Sequence, residues 1–441
     1  MRTSMAVLIL LGASSAVEAG DPPPVSPTRA ELKQQLEGSK KSKPRLPLPP
    51  PPTAAELAEA KARVKSITGM GGGIVNNGWM RKYYLPKELT TGGFAREKDP
   101  AVTLDYPFKT KLFWIVSRGN NCIYCQGHQE VKLASAGVPE ETIAALDGAW
   151  TGFTPAERAA FELARKLTLR PDTISSADID ALRPYYNERA IVEILTAVAG
   201  FNSTNRWTGG LAIPQEEHRV FLTPTLEAYR NLRSRVAPLD PNASGPACAA
   251  PAQRGALESR DQVEAALKAC RVRTPRVALA GEAEARALLA SDALSGTPAA
   301  WIRLLALFPV EGKARINLHR NAETAGKLDR KLRAEIAWVA ARNDRAWYAL
   351  DIARKRLTAL GMTADQMFAL EDPNADLPAG SRAVLALSKK LTVDPALVAD
   401  DDVEAVRRHF SDHEVAEVVF QITEAAFFDR LTEAAGLPLD D

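Results

Sequence analysis

The 441-residue sequence is poor in sulfur, in aromatic surface and in charge of one sign. Four cysteines are too few for a disulfide scaffold, so any cysteine chemistry must be local. Aromatic residues make up 6%, while alanine and leucine are plentiful, which favours helices over a β-sandwich. Lys+Arg is 56 against Asp+Glu 54, a net charge of +2, and so lacks the clustered basic footprint of a nucleic-acid binder. Beyond the N-terminus no stretch approaches the roughly 18 uncharged apolar residues that would span a bilayer, so no membrane is expected as a partner. No convincing alternating strand pattern occurs. Met70-Gly71-Gly72-Gly73 has no strand before it and no Lys-Ser/Thr after it, so it reads as a flexible joint rather than a phosphate loop.

What is present is an ordinary globular balance, 46% apolar and 25% charged. Residues 1–19 read as an export signal: Arg2 supplies a positive charge, Met5 to Leu11 an apolar run, and Val17-Glu18-Ala19 a small-x-small cleavage site. An exported, periplasmic or secreted protein is therefore expected, in a compartment where cysteines tend to pair. Residues 20–53 are Pro-rich and read as a stiff tether without a core. Residues 54–236 form a first helical domain, 237–254 a linker and 255–441 a second helical domain, so the expected fold is all-α. Capping signals mark the helices. Thr154-Pro155-Ala156-Glu157 is a capping box with proline at the first helical position. Ser175-Ser176-Ala177-Asp178 opens the next helix, and Asn187 caps a third.

The two halves are copies. One constant shift, with no gap, carries Trp114 onto Trp338, Arg118 onto Arg342, Tyr124 onto Tyr348 and Gly137 onto Gly361. It also carries Lys166-Leu167-Thr168 onto Lys390-Leu391-Thr392, and Glu193, Arg206, Thr208 and Pro214 onto Glu417, Arg430, Thr432 and Pro438. A long repeat with a linker indicates tandem domains rather than a solenoid. The copies differ where chemistry is concentrated: Cys122, Cys125 and His128 fall on Ala346, Ala349 and Ile352.

The motif is Arg118-Gly119-Asn120-Asn121-Cys122-Ile123-Tyr124-Cys125-Gln126-Gly127-His128. Gly119 stops one helix and Asn120 or Asn121 caps the next, which is predicted to run from Cys122 to Ala136 and end at Gly137. Both cysteines then share one face near a helix N-terminus, where thiol pKa values fall. His128 lies on that face as a candidate to move a thiol proton. Four readings compete. A c-type haem needs histidine directly after the second cysteine, where Gln126 stands. Zinc lacks a fourth ligand, so no metal and no cofactor is expected. A structural disulfide would be a weak staple across so short a loop. A redox-active pair is the favoured reading.

The CxxC helix with its nearby histidine, Ala136-Gly137-Val138-Pro139, Ala159-Phe161-Leu163 with Lys166-Leu167-Thr168, and Phe201-Asn202 through Asn205-Arg206 together resemble the AhpD-like, or carboxymuconolactone decarboxylase, superfamily. The resemblance covers about Phe108 to Pro214 and, more weakly, the second copy. It implies an all-helical fold that oligomerises and a thiol-dependent hydroperoxide reductase. Cys125 is then the attacking thiol beside the proton relay, and Cys122 its partner. The family's histidine sits four residues after the second cysteine, a place Gln129 holds here. Its relay carboxylate precedes the first cysteine where this chain has Lys109-Thr110-Lys111, so Glu130 or Glu193 is expected to replace it. The expected partners are a small hydroperoxide or a thiol–disulfide partner, an external dithiol that resets the pair, and a second copy of the chain. Two other readings stay open. One is a non-redox decarboxylase or hydrolase with His128 as general base, and the other a binding protein with a structural disulfide. His409 and His413 read as a surface pair, and Cys248 and Cys270 as a disulfide across the linker.

Overall fold

The computed structural model describes residues 27–68, 75–90, 99–233, 255–289 and 296–440. The expected signal, the Gly71–Gly73 joint, the 237–254 linker and Cys248 lie outside the described residues. Those described form helices and short 3-10 turns with no strand, so the fold is all-α; one isolated bridge pairs Thr28 with Arg233. No described helix is long and apolar enough to cross a membrane.

Local chemistry explains the helix boundaries. Thr154 caps Pro155–Leu169 through a capping box, Asn187 Oδ1 accepts the Ala190 N–H at 2.9 Å, and Ser175 N–H donates to Asp178 at 2.7 Å. Gly137 ends the CxxC helix region with φ +80°, a left-handed conformation that glycine adopts without penalty.

The sequence repeat is also a repeat of elements. Ile123–Ser135, Glu140–Ala145, Pro155–Leu169 and the turn Pro171–Thr173 recur as Trp347–Ala359, Ala364–Ala369, Ala379–Val393 and Pro395–Leu397. The helix before the motif, Tyr106–Gly119, recurs as Arg330–Asp344, and the long helix Glu188–Gly210 as Asp412–Ala435. Side-chain roles repeat as well. Glu193 accepts the backbone N–H groups of Thr103 and Leu104, and Glu417 those of Lys327 and Leu328.

The halves are not separate cores. The two long helices pack on one another, and each also meets the other half's proline turn, a reciprocal arrangement like an isologous dimer interface. Glycines allow the close approach: a Cβ on Gly210 would meet Leu391 at 3.0 Å, and one on Gly209 would meet Pro395 at 3.2 Å. One apolar cluster joins Cys122, Tyr124 and Trp207 to Leu391, Val418 and Phe420.

The Pro-rich segment departs from the expected coreless tether over residues 27–53. Thr28 caps a helix, Arg29–Gly38, whose Leu32 and Leu36 are fully buried. Arg29, also fully buried, forks onto Glu130 with two 2.6 Å bonds, and Lys33 reaches the same carboxylate at 2.5 Å. Arg45 then straps both halves by donating to the carbonyls of Gly209 and Val398. Charge pairing and leucine burial fasten this segment, which a composition argument based on its prolines overlooks.

Candidate active site

Asn121 takes φ +48°, which asparagine tolerates, and turns the chain into the CxxC helix. The helix starts at Ile123, and its N-cap is Cys122 rather than Asn120 or Asn121; Cys122 Sγ accepts the Cys125 N–H at 3.4 Å. Asn120 instead turns inward and donates to Asn202 and Asn205, both at 2.9 Å. A buried amide network therefore underlies the motif, with Asn205 donating on to Ser117 at 3.2 Å.

Cys122 and Cys125 are free thiols, 3% and 2% exposed. Both sulfurs lie 3.0 Å from the hydroxyl oxygen of Thr208 on the long helix. That hydroxyl also lies 3.1 Å from the Thr204 carbonyl, so its proton has acceptors on either side. Burial pushes both thiols up. In Cys122 this is outweighed by hydrogen bonds from the Cys125 thiol, the Thr208 hydroxyl, the Cys125 N–H and the Asn205 side chain, and its pKa falls below the usual 9.0. In Cys125 burial is reinforced by the neighbouring Cys122, and its pKa rises well above that value.

His128 is buried one turn beyond Cys125 but does not bond to either sulfur among the described residues. Its Nδ1 lies 3.0 Å from the Tyr124 carbonyl oxygen, and its Nε2 lies 3.0 Å from Glu216 Oε2. The Tyr124 ring packs against the imidazole and its hydroxyl donates to Glu216 at 2.8 Å. Burial raises the Glu216 pKa, but the hydrogen bond and charge of His128, the Asn76 N–H and the Tyr124 hydroxyl bring it down to about 2.

The carboxylate that meets His128 is thus Glu216, not Glu130 or Glu193. Glu130 is committed to Arg29, Lys33 and the Trp114 indole N–H, and Glu193 to backbone N–H groups and Lys109. The repeat carries the signal for Glu216: two residues beyond Pro214 and Pro438 it sets Glu216 against Asp440. Asp440 accepts from the Tyr348 hydroxyl, as Glu216 does from Tyr124. Gly127 has a packing reason. Gln215 lies over it and donates to the Tyr124 carbonyl at 2.7 Å, so a Cβ there would stand 2.3 Å from the Gln215 amide nitrogen.

No protein-family model matches this chain, and no curated protein matches it. Among the described residues no group of three His, Cys, Asp or Glu side chains could hold a metal ion. His409 precedes the Ser411 N-cap, whereas His413 follows it and packs on Tyr83 and Tyr84, so the two do not share a helix. Cys270 is buried and its thiol faces the Leu437 carbonyl at 3.5 Å.

Proposed function

We propose that the first half is a thiol-dependent reductase of small hydroperoxides, of the AhpD-like type, in an exported protein. The observation that carries this reading is the pair of buried free thiols that share one hydroxyl, that of Thr208, at 3.0 Å each. A structural disulfide needs no shared hydroxyl between its sulfurs; a redox pair needs a nucleophile and a proton donor. Sulfurs buried to this degree suit a small oxidant better than a protein disulfide, which would have to open the helix packing first.

In this reading the roles of the cysteines reverse relative to the family resemblance. The Cys122 thiolate attacks the outer peroxide oxygen, an S–O bond forms and the O–O bond breaks. The Cys125 proton, passed through Thr208, protonates the departing alkoxide to the alcohol. Cys125, now a thiolate, attacks the Cys122 sulfenic acid, and hydroxide leaves as water with a proton from solvent. One hydroperoxide is reduced by two electrons and one disulfide forms; an external dithiol restores the thiols. His128 and Glu216 act as positioning residues that hold the first helical turn through Tyr124.

The test is thiol titration of the protein against cumene hydroperoxide. Two thiols should disappear per hydroperoxide consumed, and dithiothreitol should restore both. Unchanged thiols under excess hydroperoxide would leave the structural-disulfide reading.

A further inference from the structure

The second half keeps the frame of the first without its cysteines, yet a cavity of about 310 Å³ opens at the matching place. Its walls include Ala349 and Ile352, the counterparts of Cys125 and His128, together with Arg333, His319, Phe428 and Asp429. The volume is at the lower end of small-molecule sites.

The polar groups in this cavity are buried and incompletely used. Arg333 is 7% exposed, its Nε has no hydrogen-bond partner, and its one bond is a 3.4 Å contact to the Ala322 carbonyl. Its counterpart, Lys109, pairs with Glu193 at 3.2 Å. The equivalent Glu417 instead accepts the Lys327 and Leu328 N–H groups and acts on Arg333 only through space, so that among the described residues Arg333 makes no ion pair within contact distance. A buried guanidinium with an unused donor and with Glu417 and Asp329 beyond ion-pair contact is costly, which points to an anion supplied from outside. Burial lowers the Arg333 pKa, and the charges of Glu417 and Asp329 offset only part of that.

Opposite charges in the same walls are already neutralised. Glu424 is held by Arg315 at 2.7 Å and by His319 Nδ1 at 3.0 Å. Glu323, also in the wall, is paired with Arg356, and Asp344, outside it, with Arg430 at 2.5 Å. Asp429, 2% exposed with Oδ2 unpartnered, has its pKa raised well above the usual range by burial and by Asp344. His319 stacks on Phe428 with ring centroids 4.2 Å apart, leaving its Nε2 without a hydrogen bond.

We propose that this cavity is a ligand site for a small carboxylate with an apolar body, the carboxylate forked on Arg333 and the body lying on Ala349, Ile352 and Phe428. The planar guanidinium matches a carboxylate in two parallel bonds. Asp429 and His319 Nε2 remain to meet a polar substituent on the ligand. The site is independent of the thiol chemistry, since no cysteine lines it.

Calorimetry on the full chain tests this, with 3-phenylpropanoate, its amide and inorganic phosphate as probes. The acid should bind at one site per chain, and the amide and phosphate at least about tenfold more weakly. Arg333→Met should remove the preference for acid over amide, while Cys122→Ser leaves it intact. Ile352→Phe, which fills the cavity from its apolar side, should weaken acid binding without moving the thermal midpoint downward. Absence of saturable acid binding in the wild-type chain overturns the proposal. So does equal affinity for acid and amide, or binding unchanged by both Arg333→Met and Ile352→Phe.

Discussion

His128 Nε2 stands 3.0 Å from Glu216 Oε2, and this contact ties the CxxC helix to the segment that leaves the long helix of the first half. In the second half Ile352 replaces the imidazole, while Asp440 still accepts from Tyr348. The tyrosine–carboxylate link is thus common to both copies, and histidine belongs only to the copy with cysteines.

The Glu216 carboxyl has a depressed folded-state pKa, about 2 against a usual 4.5. Its stabilising contribution is therefore complete above pH 4.5 and is lost as pH falls from there toward 2. Thermal midpoints measured across that window should fall less steeply for Glu216→Gln than for the wild-type protein. Parallel curves would show that Glu216 does not carry this pH dependence.

The two sulfurs should separate under alkylation. With iodoacetamide, Cys122 should react with a midpoint below pH 9.0 and Cys125 with one well above it. Thr208→Val removes the shared hydroxyl at nearly constant volume and should move the Cys122 midpoint upward. Cys122→Ser should abolish hydroperoxide turnover. Cys125→Ser should leave a sulfenic acid on Cys122 that dimedone captures. Dimedone labelling confined to Cys125 in Cys122→Ser would restore the opposite order of attack.

Gly127→Ala should impair the site without touching a sulfur. The added Cβ would displace Gln215, which caps the Tyr124 and Ile123 carbonyls beside Glu216. Slower turnover, matched by Gln215→Ala alone, is the expected outcome; full activity in both variants would deny Gln215 a positioning role.

Glu130 holds Arg29 and Lys33 in a buried cluster, and its pKa is brought to about 2 against burial by those two cations. Glu130→Gln leaves both cations under-compensated and should cost about 3–5 kcal/mol in urea unfolding. Limited proteolysis should then cut within Arg29–Gly38, a helix that resists cleavage in the wild-type chain.

The second half should not fold well alone. Val418, Val419 and Phe420 are buried in a cluster completed by Trp207 and Leu211 of the first half. Residues 255–441 expressed separately should show a broad unfolding transition by calorimetry, and one that sharpens when residues 20–236 are added. A sharp transition in the separate half would argue for independent domains.

The sequence alone determined the all-α fold, the helix boundaries at Thr154, Ser175 and Asn187, the repeat and the place of the cysteine pair. Those features follow from local preferences: capping oxygens, helical spacing of apolar residues and glycine stops act within a turn or two of the chain. Tertiary structure decided which groups meet. Thr208 reaches both thiols only because the long helix packs across the CxxC helix, and Glu216 reaches His128 only because the chain turns back after Pro214. Glu130 and Glu193 have the same chemistry as Glu216, but buried cations and backbone N–H groups claim them first. Residues 27–53 show the same limit, since proline content describes a chain in isolation while Arg29 and Leu32 are placed by partners distant in sequence. A carboxylate's role is set by which charge or hydrogen-bond donor lies within a few ångströms, and that distance exists only once the helices have packed.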